Sequence, residues 1–246
     1  MLTISASQID ALENAVFRRF QWRLIPHVRE HFPLHADYLG DHGTLRVIEQ
    51  ACTRAETFGF ETERDLCLFT DLSIMLGAGF DSDPQLPWAK ACLNGTSPVV
   101  PAKRMDVLWD SAMGYLETVL GPECIFPVRP FSLDRRQRSM AVLLNGSKGS
   151  AAISDHFYTI WPQKVDYLGV PALNVLIQNS LQLARHYRLP EHEGGYEFAV
   201  NAFLFGHRFY ADPLYPWVND ILHSNAAQAG QERIGQLTSA FNRRFG

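Results

Sequence analysis

Residues 77–88 read GAGFDSDPQLPW, and residues 206–217 read GHRFYADPLYPW, with the glycine, phenylalanine, aspartate, proline and tryptophan positions matched at an offset of 129. A second pair of blocks has the same offset, because residues 37–40 and residues 166–169 both read DYLG. From Phe32 to Trp88, 14 of 57 positions are identical to the residue 129 positions later, with no gap. Two blocks in one ungapped register predict two tandem, diverged copies of one multi-helix domain.

The boundary between the copies is predicted at the proline-rich stretch GPECIFPVRP, residues 121–130, because its prolines cannot continue a helix. We therefore assign residues 1–121 to helical repeat 1 and residues 131–246 to helical repeat 2. A second break, NGSKGS at residues 145–150, interrupts the opening helix of the second copy. It lacks the spacing of a phosphate-binding loop, and we interpret it as a helix–helix connection.

Helical spacing of the apolar residues predicts an all-α fold with four or five helices in each copy. In the first copy, the apolar stripe of residues 9–20 follows a serine that can cap the helix, Ser5 or Ser7, and Pro26 should kink this helix. A second helix is expected at residues 45–58. No run of alternating β-branched residues predicts a strand.

The third helix is expected to open at Thr62, which with Asp65 resembles a capping box, and to end at Gly77. It is apolar on nearly every side, which is typical of a buried helix. Asp83 and Asp212 are each followed by a proline, which is typical of an N-cap with a first-turn proline, and Pro87-Trp88 then starts a short helix. The alternative is that the two aspartates are carboxylates of one site. The tryptophan of that short helix, Trp88, should pack against the third helix.

Bulk properties exclude several classes of function. A net charge of −4 and a pI near 6.1 provide no basic surface for nucleic acid or for an anionic membrane. The N-terminus lacks the basic and apolar regions of a signal peptide, and no window approaches the ~18 apolar residues of a membrane span. We therefore expect a cytoplasmic protein that binds neither nucleic acid nor a membrane.

The string His27-Val28-Arg29-Glu30-His31 is the sharpest hint of catalysis, because histidines at i and i+4 on a helix can hold zinc with the glutamate as base. In the second copy His27 is kept, but Glu30 and His31 become threonine and isoleucine. No third ligand follows at helical distance. We expect no metal and no cofactor here. The alternative is a metal-dependent hydrolase that uses His27, Glu30 and His31, with its site between the two copies.

The cysteines are also expected to be structural. They show no close pair of the kind that zinc sites and redox motifs use. Three of them align with large apolar or aromatic residues of the second copy, which is typical of small hydrophobic core residues: Cys52, Cys67 and Cys92. No nucleophile–base motif appears elsewhere, so we predict no catalytic residue.

The second copy is enriched in aromatic residues around its third helix. Glu197 and Asn201 replace leucines of the first copy and lie one helical turn apart. Aromatic side chains with sparse polar points are typical of recognition surfaces. We predict partner contacts at Tyr196, Glu197, Asn201, Phe203, Tyr210 and Tyr215. A larger core that holds one buried hydrogen-bonded pair is the alternative.

Residues 55–67, AETFGFETERDLC, and residues 80–88, FDSDPQLPW, resemble a bacterial family encoded in type VI secretion effector clusters, beside spike proteins and toxins. The resemblance covers mainly residues 1–95, and the second copy loses the TERD string. It implies a non-enzymatic cytoplasmic accessory protein that binds a toxin or spike protein, either an effector adaptor or chaperone, or an immunity protein that neutralises a cognate toxin. The missing export signal favours the adaptor or chaperone.

Overall fold

The computed structural model describes residues 5–94, 103–126, 149–224 and 230–245, and it confirms the all-α fold class, with ten α-helices and no strand in these ranges. In chain order the helices are α1 (Ala6–His31), α2 (Pro33–Glu56), α3 (Glu63–Leu76), α4 (Pro87–Leu93), α5 (Arg104–Leu120), α6 (Gly149–Ile160), α7 (Pro162–His186), α8 (Glu191–Phe205), α9 (Pro216–Leu222) and α10 (Gly230–Phe245). In these same ranges, no helix is both long enough and apolar enough to cross a membrane.

The elements follow the same order before and after the proline-rich stretch. The helices α2 and α7 each begin with a proline, and α4 and α9 each span seven residues at an offset of 129. A 3-10 turn precedes each of these short helices, at Phe80–Ser82 and at Phe209–Ala211. The residues on either side of the predicted boundary therefore adopt matching local structure.

Four glycines mark the same two bends in each half. Gly40 interrupts α2 at φ 62°, and Gly169 interrupts α7 at φ 69°. Gly77 and Gly206 end α3 and α8, and both have φ 93°. Residues with a side chain rarely adopt this positive φ, so each bend depends on the glycine.

Predictions that rest on local sequence are confirmed at two helix starts. Ser5 forms a capping box with Gln8 at the start of α1. The Thr62 hydroxyl accepts a hydrogen bond from the Asp65 backbone N–H at 3.1 Å and opens α3. The second helix begins earlier than predicted, because Pro33 initiates a first segment ahead of the bend at Gly40. Pro26 lies inside α1 without ending it.

The prediction that Asp83 caps the short helix is wrong. The helix α4 begins at Pro87, and its N-cap residue is Leu86. Trp88 packs against α5 rather than α3, since its ring lies 6.0 Å from the ring of Tyr115. The Asp83 carboxylate is therefore available for another role.

One continuous hydrophobic core includes side chains from both halves. At the predicted boundary, α5 ends at Gly121 and a short 3-10 turn follows at Pro122–Cys124. Residues 127–148 lie outside the described residues, and with them most of the NGSKGS break, whose last two residues begin α6. In the described residues, the two halves are thus joined by direct packing of their helices.

Candidate functional site

Two buried aspartates join the halves in a crossed arrangement, which we call the carboxylate clamp. Asp83, from the first half, accepts a hydrogen bond from the backbone N–H of His207 at 2.8 Å. Asp212, from the second half, accepts one from the backbone N–H of Ala78 at 2.7 Å. Each acceptor and each donor lies 129 residues from its counterpart. Each carboxylate therefore holds the chain just beyond the third helix of the opposite half.

The backbone of the two halves comes into close contact beside the carboxylate clamp. A Cβ atom added at Gly77 would lie 2.6 Å from the carbonyl oxygen of Phe205. A Cβ atom added at Gly206 would lie 3.2 Å from the carbonyl oxygen of Leu76. Glycine at these positions thus serves both the positive φ and the contact between the ends of α3 and α8.

The two clamp carboxylates differ in acidity. Burial alone would raise the pKa of Asp83, but hydrogen bonds and charge from His207, together with the backbone N–H of Gln85, more than offset it and lower the pKa below its ordinary value. Burial raises the pKa of Asp212 to about 6, and the N–H groups of Ala78 and Leu214 offset only part of this shift. The difference follows from the sequence, because the position of His207 is occupied by alanine in the other half.

Two further contacts cross between the halves. The indole N–H of Trp161 donates to the carbonyl oxygen of Val119 at 2.7 Å, which ties the start of the second half to α5. The ring of Tyr115, also on α5, lies 5.0 Å from the ring of Tyr167 on α7. These contacts fix the wall of α5 against the second half.

A groove of 620 Å³ runs between the halves beside the carboxylate clamp. Its walls are the junction of α1 and α2, the end of α3, the C-terminal half of α5, and parts of α7 and α8. Its apolar lining includes Phe32, Ile74, Met75, Leu116, Leu120, Trp161, Leu204 and Phe205. A volume of this size is within the ~300–1,000 Å³ typical of ligand pockets.

One buried ammonium group lies in the groove. Lys164 donates a hydrogen bond to the carbonyl oxygen of Phe203, and its nitrogen lies 4.8 Å from the ring centre of Trp161. Burial lowers the pKa of Lys164 to about 8, although the nearby Asp83 charge opposes this shift. His35, 129 residues earlier, also lines the groove. The groove therefore combines an apolar surface with a few polar groups of both signs.

The predicted partner contacts lie mostly inside the protein, and the prediction is corrected accordingly. Tyr196, Glu197, Asn201 and Phe203 are buried in α8, so a partner cannot reach them in this fold. The helix is covered on all sides, as the alternative of a larger core requires. Tyr210 is half-buried and stacks on Phe198. Tyr215 is almost fully buried, at 9% exposed, but it contributes to the groove lining.

The His27–His31 string does not form the arrangement of a zinc hydrolase. His27 bonds to the Asp71 carboxylate at 2.9 Å, while Glu30 and His31 are both exposed. The base expected for such an enzyme therefore faces solvent rather than the groove.

Local sequence patterns show neither the crossed hydrogen bonds of the carboxylate clamp nor the burial of Lys164. The available signal was the identity of Asp83 and Asp212 at matching positions. The Asp-Pro pattern alone favours helix capping, because it does not show which backbone groups of the opposite half lie nearby. Comparisons with family models, with curated proteins and with solved structures find no match to the chain.

Proposed function

We propose that the protein is a non-enzymatic binding protein, an effector adaptor or chaperone that holds a toxin or spike component in the cytoplasm. The observation that carries this proposal is the apolar groove of 620 Å³ between the halves. Grooves between helices accept an amphipathic helix or an extended loop of a partner. The sequence resemblance to a family of type VI secretion effector clusters supports the choice of partner class.

Binding is favoured over catalysis because the buried carboxylate of the groove, that of Asp83, already has hydrogen-bond partners on both oxygens. One oxygen of Asp83 accepts the backbone N–H of Gln85 at 2.8 Å, and the other accepts the N–H of His207. Asp83 could act as a base in an enzyme with a site between the halves only by giving up these bonds. The apolar lining instead suits a partner that buries apolar side chains.

The partner segment should be apolar with basic flanks. Two exposed acidic residues, Glu117 and Glu123, lie on the rim of the groove, and the whole chain carries a net charge of −4. Complementary charge at a rim steers association and suppresses wrong partners. A partner helix with lysine or arginine beside its apolar face would match both the lining and the rim.

A duplicated origin of the groove is part of this proposal. The matched order of the helices, the paired glycine bends and the crossed carboxylate clamp all recur at an offset of 129. Two diverged copies of one helical unit, residues 1–121 and 131–246, account for these features together. The groove is then a surface that one unit alone would not have.

An immunity protein that neutralises a cognate toxin is the alternative within the same class. It would use the same groove, but its partner would be the active domain of a toxin rather than a segment packaged for secretion. Protection of cells against the toxin, measured without secretion, distinguishes the two roles.

The test is co-purification of the protein with each product encoded beside it, in two matched variants. Leu120→Glu places a charge in the groove, where the half-buried Leu120 lines the wall of α5. Leu68→Glu places the same charge at a leucine that is also half-buried but lies outside the groove lining. We expect a neighbour to co-purify with the unmodified protein and with Leu68→Glu, and to be lost with Leu120→Glu.

Circular dichroism of both variants verifies that they remain folded. The proposed function is contradicted if no neighbour co-purifies with the unmodified protein. The choice of the groove is contradicted if Leu120→Glu retains the partner as well as Leu68→Glu does.

A further inference from the structure

Three metal-ligating side chains converge between α1 and α3, away from the groove. A ring nitrogen of His27, the Sγ atom of Cys67 and a carboxylate oxygen of Asp71 all lie within 4.8 Å of one another. The Asp71 residue is buried, and the other two are half-buried. His27 precedes Cys67 by 40 residues and Asp71 by 44, so only the packing of α1 on α3 brings it to them.

The helical spacing on each side matches the requirements of a shared ion. Cys67 and Asp71 lie one turn apart on α3, and His27 and His31 lie one turn apart on α1. The two imidazole rings lie 4.5 Å apart, centre to centre. His31 is exposed, and it is close enough to Asp71 for its charge to act on that carboxylate.

The second half keeps only the counterpart of His27 from this set of residues. The positions of His31, Cys67 and Asp71 are occupied there by isoleucine, tyrosine and valine. His156, which matches His27, instead bonds to the hydroxyl of Tyr196 at 2.7 Å. The residues that would share an ion with His31 are therefore replaced together with it in the second half.

We propose that the protein binds Zn²⁺, or a similar divalent cation, at a site that links α1 to α3. The ligands are His27, Cys67 and Asp71, and His31 completes the set. Imidazole and thiolate ligands favour Zn²⁺ among the common divalent cations, and one carboxylate is compatible with it. In a tetrahedral zinc site the ligand atoms are about 3.5 Å apart, calculated from the usual bond lengths. The Cys67 thiol needs to draw in by about 1 Å, relative to the 4.8 Å limit, to reach that geometry. His27 and Asp71, which already lie 2.9 Å apart, need to separate slightly as the ion replaces the hydrogen bond between them.

Cobalt titration followed by absorption spectroscopy tests this site directly. Co²⁺ replaces Zn²⁺ in such sites, and a bound thiolate gives a sulfur-to-cobalt charge-transfer band. The exposed thiol of Cys124 is replaced by serine in every sample, so that it cannot bind the probe. We expect one cobalt per chain with the charge-transfer band, and displacement of cobalt by zinc.

The matched variants are Cys67→Ser and Cys92→Ser, because both thiols are half-buried and only Cys67 belongs to the cluster. We expect Cys67→Ser to abolish the charge-transfer band. It should also lower cobalt affinity more than about 100-fold, because losing a residue that only supports the ligands already costs up to about 100-fold. The second should leave both unchanged. His31→Gln, at an exposed position, should weaken cobalt at least tenfold.

The site is refuted if the folded protein shows no band at stoichiometric cobalt, or if the band survives in Cys67→Ser. If Cys67→Ser does not fold, His27→Gln takes its place, and unchanged cobalt affinity in that variant refutes the site. An unchanged affinity in His31→Gln contradicts the four-ligand set. These results are independent of whether a protein partner binds the groove.

Discussion

Replacing Asp83 with alanine should weaken the junction between the two halves and lower the stability of the fold, because this carboxylate accepts hydrogen bonds from three N–H groups. Two are the backbone N–H groups of Gln85 and His207, each at 2.8 Å, and the third is the side-chain amide of Gln85 at 3.2 Å. Each buried donor left without an acceptor costs about 1–3 kcal/mol. Local rearrangement and water will satisfy part of this loss, so we expect the free energy of unfolding to fall by about 3–5 kcal/mol.

Urea denaturation followed by circular dichroism measures this change. With a slope of about 2–3 kcal/mol per molar urea, the expected loss moves the midpoint down by about 1–2 M. The control is Asp110→Ala, at an exposed aspartate of α5, which should change the stability by less than about 0.5 kcal/mol. If the two variants denature at the same urea concentration, the carboxylate clamp does not join the halves as argued.

Three further predictions concern the clamp and the helix ends. Because the pKa of Asp212 is about 6 in the folded protein, above its ordinary value, its contribution to stability is full at low pH and is lost as the pH rises through 6. This loss is about 3 kcal/mol, and Asp212→Asn should remove the corresponding slope from urea midpoints measured between pH 4 and pH 7. Gly77→Ala should destabilise the protein by several kcal/mol in thermal or urea denaturation, because residue 77 has a positive φ and its added Cβ would lie 2.6 Å from a carbonyl oxygen. The control is Gly114→Ala in α5, where the Cβ would meet open space, and it should stabilise the protein by about 0.5–1 kcal/mol. Thr62→Ala should cost about 1 kcal/mol in the same assay by removing the N-cap of α3, and an unchanged stability would contradict that role.

The features that sequence predicted well are those set by neighbouring residues. Thr62 and Asp65 form a cap because they are three residues apart, whatever the rest of the fold does. Gly77 ends its helix because glycine alone adopts its backbone angles without strain. The all-α class follows from helical spacing in the same local way.

The features that sequence missed depend on which segments face each other. Asp83 acts on the N–H of His207, 124 residues later, and no local pattern shows that contact. The aromatic residues around Tyr196 and Phe203 suit an interface or a core equally well, and the packing on all sides of α8 makes them core. Cys67 likewise gains metal-ligating neighbours only when α1 packs on α3.

Site-specific photo-cross-linking tests the central claim, that the groove between the halves is where the partner binds. A benzophenone amino acid is placed at Leu120, in the groove lining, or at Leu68, which is similarly buried but outside it. Each protein is then irradiated in cells that express the neighbouring gene products. We expect one neighbour to be cross-linked from position 120 and not from position 68. Cross-linking from position 68 alone, or from neither position while a complex still purifies, would contradict the claim.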